Sequence, residues 1–229
     1  MRDLELLKKW SPPPQRLLDF GCGIGLQSFL LARNGYDVFG LETVEDKSLD
    51  DFYRGKAESH IATRDTSMKS VWSTIKEHVP VEFRFYDGKK QPFPNSYFDV
   101  VFAYAVIEHI PPDAVPGILN EIHRVLKSNG ILFVFQLPRR SSYTEFIARK
   151  MGFESHPFLW DLHSIGKLLK GAGFSISFSQ RVDMLINHPY RIINPIFPLS
   201  HALNEFLIHT PLSHFAHHLT VVAKKTDAG

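Results

Sequence analysis

The chain has 229 residues, 44% hydrophobic and 22% charged, which excludes a disordered or fibrous chain and fits one large globular domain spanning residues 1–229. A net charge of +2 with neutral histidines, and basic pairs scattered at Lys89-Lys90, Arg139-Arg140 and Lys224-Lys225, exclude the clustered basic face of a nucleic-acid binder. The single cysteine, Cys22, excludes an intrachain disulfide, and no stretch reaches the roughly 20 apolar residues of a membrane-spanning helix.

The N-terminus carries mixed charge and lacks the apolar core of a signal peptide, so a cytoplasmic protein is expected. Apolar runs then alternate with helical stretches, the pattern of a parallel sheet covered by helices. Arg16 to Phe20 reads as a short strand ending at a glycine loop, and Gly25 to Arg33 as a helix stopped at Asn34-Gly35. Tyr36 to Glu42 is the second strand. A long connection, Thr43 to Pro80, carries Met68, Val71, Trp72, Ile75 and Val79 at helical spacing. Val81 to Tyr86 alternates, as a strand with one wet face near a sheet edge does. Phe98 to Ile107 and Gly130 to Leu137 are almost continuously apolar and read as central strands buried on both faces. Between them Val115, Ile118, Leu119, Ile122, Val125 and Leu126 form a helical stripe, stopped by Asn129-Gly130. Ser142 and Glu145 have capping-box spacing and open a helix to about Met151. Ile165, Leu168 and Leu169 mark a further helix, ended by Gly171 and Gly173. Phe174 to Ser179 and Leu219 to Ala223 are the last strands. A second long connection, Arg181 to His217, is rich in Pro, His, Ile, Leu and Phe.

The chemistry concentrates at Leu17-Leu-Asp-Phe-Gly-Cys-Gly-Ile-Gly25. A glycine-rich turn between strand and helix lets backbone approach a ligand closely and aims a helix N-terminus at it. The dinucleotide fingerprint needs its third glycine where Leu26 stands, and a phosphate loop needs a lysine that is missing. Asp19 beside the turn makes a poor neighbour for a pyrophosphate and suits a positively charged cofactor, so the turn reads as an acid beside bare backbone amides. Glu42, at the end of the second strand, is placed to accept hydrogen bonds from ribose hydroxyls. Asp87-Gly88 follows the third strand and reads either as an adenine neighbour or as an ordinary turn dipeptide.

Asp19 to Gly25, Glu42, Asp87 and Pro92-Phe-Pro-Asn-Ser-Tyr-Phe-Asp-Val-Val101 together resemble the class I S-adenosylmethionine-dependent methyltransferases, in their small-molecule branch. Val106-Ile-Glu-His-Ile110, Glu121-Ile-His-Arg-Val-Leu-Lys-Ser-Asn-Gly130 and Gly171-Ala-Gly-Phe174 continue the match in order, from Leu17 to Phe174. The resemblance implies an α/β, Rossmann-like seven-stranded sheet with helices on both faces and an antiparallel last strand. It implies S-adenosyl-L-methionine as cofactor, with Gly21, Cys22, Gly23 and Gly25 at its methionine end beside Asp19. Glu42 would hold the ribose, Asp87 with Gly88 the adenine side, and Tyr104 would join the cofactor set. The chain departs from many relatives in having only a short stretch before the first motif.

Methyl transfer from a sulfonium needs the acceptor held in line, and a hydroxyl acceptor gains from a general base. Past the fourth strand, His109 is the candidate base and Glu108 the group that orients or polarises; structural hydrogen bonding around Pro111-Pro112 is the competing role for His109. One Glu-His pair is too little to expect a metal there. Arg139-Arg140 and His163 stand on the same rim, with solvated surface or a bystander role as their default. The Arg181–His217 connection reads as a lid over an apolar or lipid-linked acceptor or as a membrane-surface contact, against the plainer expectation that it packs on its own core. Its apolar residues include Ile192, Ile193, Ile196, Leu199, Leu203, Phe206 and Leu207, and its prolines allow only a short helix, at Asn204 to His209. The expected function is O-methylation of a small molecule, without nucleic acid and with the oligomeric state open. A non-catalytic cofactor-binding or regulatory subunit on the same fold, and a nicotinamide-dependent oxidoreductase, remain as alternatives.

Overall fold

The computed structural model describes residues 2–43, 68–153, 156–185 and 197–226. Seven strands, β1 (Arg16–Phe20), β2 (Asp37–Glu42), β3 (Val81–Phe85), β4 (Phe98–Tyr104), β5 (Leu126–Pro138), β6 (Phe174–Val182) and β7 (His218–Lys225), form one sheet in the order β3-β2-β1-β4-β5-β7-β6. Strands β1 to β5 pair in parallel, and β7 runs antiparallel to both β5 and β6. This is the expected Rossmann-like architecture, with β3 at one edge as its alternation requires. The strand order reverses between β1 and β4, and ligands of open α/β sheets bind in the crevice at such a point, beyond the carboxyl ends of the strands.

Helices close both faces because the central strands are apolar on both. Leu17 and Leu18 in β1 point opposite ways and both are fully buried. Leu17, Val100, Phe102 and Phe133 pack with Leu7 of α1 (Arg2–Trp10), Leu31 of α2 (Leu26–Arg33) and Met68, Trp72 and Ile75 of α3 (Met68–His78). On the other face Leu18, Val101, Leu132 and Val134 pack with α4 (Val115–Val125) and α6 (Leu162–Gly171). Each large side chain so buried contributes about 1.5–3 kcal/mol. Helix α5 (Tyr143–Met151) follows β5, and α7 (Phe197–Ile208) lies within the second long connection.

Four local expectations change. Helix α1 was not anticipated from the sequence. Strand β4 stops at Tyr104 rather than Ile107: Ala105 takes a φ of 53°, its amide bonds to the Phe135 carbonyl, and Ile107–His109 folds into a 3-10 turn. Helix α4 ends at Val125, ahead of Asn129-Gly130, because β5 begins at Leu126, which pairs with Phe98. Helix α7 is longer than the expected Asn204–His209 stretch, since Pro198 falls in its first turn, where a missing amide costs nothing. Residues 44–67 and 186–196, with Ile192, Ile193 and Ile196, lie outside the described residues.

Candidate functional site

From β1 the chain turns through Gly21, Gly23 and Gly25, at φ 72°, 51° and 87°, into α2. All three lie in the left-handed region that glycine adopts without a Cβ penalty. Space matters as much: a Cβ on Gly21 would stand 2.5 Å from Val106 Cγ2, and one on Gly25 2.8 Å from Phe83 Cζ. The amides of the turn are not bare, which corrects the expectation. Those of Gly21 and Cys22 donate to the Leu41 carbonyl at 2.8 and 3.1 Å, and that of Gly23 donates to Glu42 Oε2 at 2.9 Å. The Trp72 indole N–H donates to the Gly23 carbonyl at 2.9 Å. The end of β2 and helix α3 therefore hold the turn in shape before any ligand arrives.

The carboxylates take different stations. Asp19 is buried beneath the turn and accepts a hydrogen bond from Ser28 Oγ at 2.5 Å. Burial, with Glu42 adding to it, pushes its carboxyl up to about 7. Glu42 is half-buried; its Oε1 accepts from the Thr43 amide at 2.7 Å. Asp87 is exposed and its Oδ1 accepts from the amides of Lys89 and Lys90, at 2.9 and 3.1 Å, which lowers its pKa and shapes the turn at Gly88, φ 76°. The side chain of Cys22 packs into the core beside Trp72 and Phe83, and burial drives its thiol well above the usual range, so only its backbone belongs to the turn. Tyr104 is half-buried, its ring parallel to that of Phe102 at 6.1 Å. Tyr86 was not singled out from sequence; its hydroxyl is buried with no hydrogen-bond partner among the described residues, and burial first, then the charges of Glu42 and Asp87, raise its pKa.

Beyond β4, Glu108 and His109 part company. Glu108 is 1% exposed, its Oε2 has no hydrogen-bond partner among the described residues, and burial pushes its carboxyl up to about 7. His109 points to solvent, its ring 6.5 Å from that of His156. His156 belongs to a cluster that the sequence did not reveal. Glu145 is 4% exposed and its Oε1 lies 2.6 Å from His156 Nδ1 and 3.1 Å from His217 Nε2. Of the expected capping box only the Ser142 half forms, from the Glu145 amide at 3.2 Å, because the Glu145 side chain turns to the histidines instead. Burial raises the Glu145 carboxyl, but bonds and charges from His156 and His217 outweigh it and leave the pKa lowered. Burial and the neighbouring His218 bring His217 down to about 4, so it is neutral at pH 7. His218 stacks on His217 at 3.9 Å and bonds to Asp183 Oδ2 at 2.9 Å.

Arg139 is not solvated surface. It is 6% exposed and its Nη1 donates to the carbonyls of Ser213, His214 and Ala216, tying the end of the long connection to β5. Arg140 stays exposed and, with His163, Arg181 and His209, lines a groove of about 770 Å³. Helix α7 buries its polar Ser200 and Asn204 and leaves Leu199, Leu203 and Phe206 outward, at 71%, 45% and 67% exposure. The Asn204 side-chain oxygen accepts from the amides of Met184 and Leu185, which explains the inversion. Leu207 and Ile208 pack inward, against Met184 and Ala216. The expectation that this segment packs on its own core fails for the outward three.

Residues 1–177 match a family model described as a methyltransferase domain. An uncharacterized methyltransferase of Synechocystis sp. is 28% identical over 170 residues, 72% of this chain and 68% of that protein. Phosphoethanolamine N-methyltransferase 3 of Arabidopsis thaliana is 26% identical over 171 residues, 71% of this chain and 29% of that protein. The chain thus spans about two thirds of the first and under a third of the second. In fold it is similar to a SAM-dependent methyltransferase of Methanosarcina mazei, with a TM-score of 0.62 over 97% of this chain and 98% of that one, at 17% identity. Among the described residues no helix is long and apolar enough to cross a membrane. With that family match over most of its length and this sheet order, the chain belongs to the methyltransferase-domain family and is an enzyme whose methyl donor is S-adenosylmethionine.

Proposed function

We propose that the chain methylates a hydroxyl of a small, apolar or lipid-linked acceptor, holding its cofactor along the carboxyl edge of β1, β2 and β3. The residues there fit an aminoacyl nucleoside. Three left-handed glycines bring the backbone of the turn close to a ligand, Glu42 keeps a lone pair on Oε2 beyond the three bonds it already accepts, and the buried Tyr86 hydroxyl has no hydrogen-bond partner among the described residues. Asp19 under the turn supplies negative charge close to a cationic amino-acid end, and Asp87 with Gly88 takes the adenine side. The cofactor supplies an electrophilic methyl on a sulfonium, with a neutral thioether as leaving group.

One observation carries the catalytic reading. Val106 fills the space where a Gly21 side chain would be, so the Ile107–His109 turn starts against the cofactor turn and ends in an exposed imidazole. His109 accepts the hydroxyl proton as the oxygen attacks, and passes it to solvent. Glu108, held near 7, polarises the same turn. The outward apolar row of α7 supports an apolar acceptor. After a labelled-methyl screen has found the acceptor, His109→Gln at saturating cofactor is expected to lower turnover about 10²–10⁴-fold. An unchanged rate removes His109 from the chemistry.

A second reading has its own observation. Arg140, Arg181, His163 and His209 line the 770 Å³ groove, which favours an acceptor bearing a phosphate or carboxylate. The same screen separates the two if it offers anionic and uncharged apolar hydroxyl compounds side by side.

A further inference from the structure

We propose that Glu145, His156 and His217 bind one borderline first-row divalent cation, of which Zn²⁺ is the test case, at the rim beside His109. The three ligand atoms all lie within 4.8 Å of one another. They come from three separate stretches of chain: the first turn of α5, the segment after α5, and the residue just before β7. Both imidazole nitrogens converge on one carboxylate oxygen, at 2.6 and 3.1 Å. Tetrahedral Zn²⁺ with bonds of about 2.0–2.1 Å sets its ligand atoms roughly 3.3 Å apart. The two nitrogens lie about 0.7 and 0.2 Å inside that spacing from Glu145 Oε1, so drawing them back from that oxygen exchanges two hydrogen bonds for a cation.

The groups behind the ligands are those that orient metal sites. The His156 amide donates to Glu145 Oε2 at 3.3 Å, fixing the carboxylate. The His217 backbone is held from both sides: its amide donates to the Asp183 carbonyl at 3.0 Å and its carbonyl accepts from the Arg139 amide at 2.9 Å. Its ring lies flat on His218, at an interplanar angle of 11°. Two imidazoles and a carboxylate suit Zn²⁺, Co²⁺, Mn²⁺ or Fe²⁺ and not the all-oxygen preference of Mg²⁺ or Ca²⁺. Three protein ligands leave a position open to water or to an acceptor oxygen, and the His109 ring is 6.5 Å from that of His156. The site stands whether or not the acceptor is a hydroxyl, and it uses neither Glu108 nor His109 as a ligand.

The chain, stripped with a chelator and dialysed, is titrated with Co²⁺ by visible spectroscopy and with Zn²⁺ by calorimetry. One-to-one binding with a visible ligand-field band is expected, together with a Zn²⁺-dependent rise in Tm. Glu145→Gln, His156→Gln and His217→Gln, which keep size and polarity, are each expected to weaken binding about ten- to a hundredfold and to lose the Tm rise. His78→Ala, at the exposed end of α3, is expected to bind as the parent does. Far-ultraviolet circular dichroism identifies a variant that has not folded, and the remaining two then carry the test. Equal affinity in all the folded variants, or no one-to-one binding at micromolar metal, overturns the site and leaves a Glu-His hydrogen-bond cluster.

Discussion

Asp19 illustrates how one residue serves binding at the expense of folding. Its carboxyl is buried, bonded to Ser28, and shifted from 3.8 to about 7 by burial first and by Glu42 second. An acid whose folded value lies above its unfolded value adds stability below pH 4 and loses it as pH rises toward 7. As pH rises past about 7 a charge therefore forms under the glycine turn with little to balance it, the condition in which a cationic ligand is welcome. Asp19→Asn is expected to raise Tm by roughly 3 °C or more at pH 8, and by less at pH 5, while weakening S-adenosylmethionine binding. Thermal scans at the two pH values with calorimetry check it; an equal shift at both would show that Asp19 pays no charge penalty. The sequence showed that an acid belonged at this turn. It did not show that the acid lies beneath it, because depth is set by Ser28 and the packing of α2.

At the scale of elements, α7 is the piece whose orientation runs against its composition. A helix rich in Leu, Phe and Ile ordinarily turns those residues inward. Here Asn204 is drawn in by two backbone amides, and the Leu199–Leu203–Phe206 row is turned out. Replacing Leu203 and Phe206 together by Gln is expected to shift Tm by no more than about 2 °C, since exposed positions tolerate change. The same pair is expected to reduce sedimentation with phosphatidylcholine vesicles. Parent protein that does not sediment with vesicles rules out the membrane contact and leaves the apolar-acceptor lid. Helix α1 teaches the converse. Nine residues are too few to be stable alone, so its existence rests on packing of Leu7 into the core and on Arg2.

Across the whole molecule, Asp183 joins parts far apart in sequence. Its Oδ1 accepts from Arg2 Nη2 in α1 at 3.2 Å, and its Oδ2 accepts from Gln136 Nε2 in β5 at 3.2 Å and from His218 at 2.9 Å. Burial pushes its carboxyl up, but His218 and Arg2 prevail and bring it to about 2. A depressed acid stabilises the fold above its unfolded pKa of 3.8 and loses that contribution as pH falls toward 2. The parent is expected to exceed Asp183→Asn by about 2 kcal/mol near pH 6, the two converging near pH 2. Urea unfolding at both pH values measures it, and a gap that persists at pH 2 contradicts the ion-pair origin.

The strands, the glycine turn and the place of Glu42 at the end of β2 were legible in the residues themselves, because each follows from local rules: period, a left-handed turn, and a run of apolar residues wide enough for two faces; the antiparallel last strand came only from the family resemblance, and the strand order only from the structure. Glu145 was legible only as a helix cap, and His156 and His217 not at all among 12 histidines. Their meeting depends on β7 inserting between β5 and β6, which returns the end of a long connection to the rim beside α5. Sequence by itself determined the strands and the glycine turn, where contacts are near in the chain or repeat with it. Tertiary structure alone decided the Glu-His cluster, the inward Arg139 and the outward face of α7, since these depend on which distant groups satisfy a buried charge or amide.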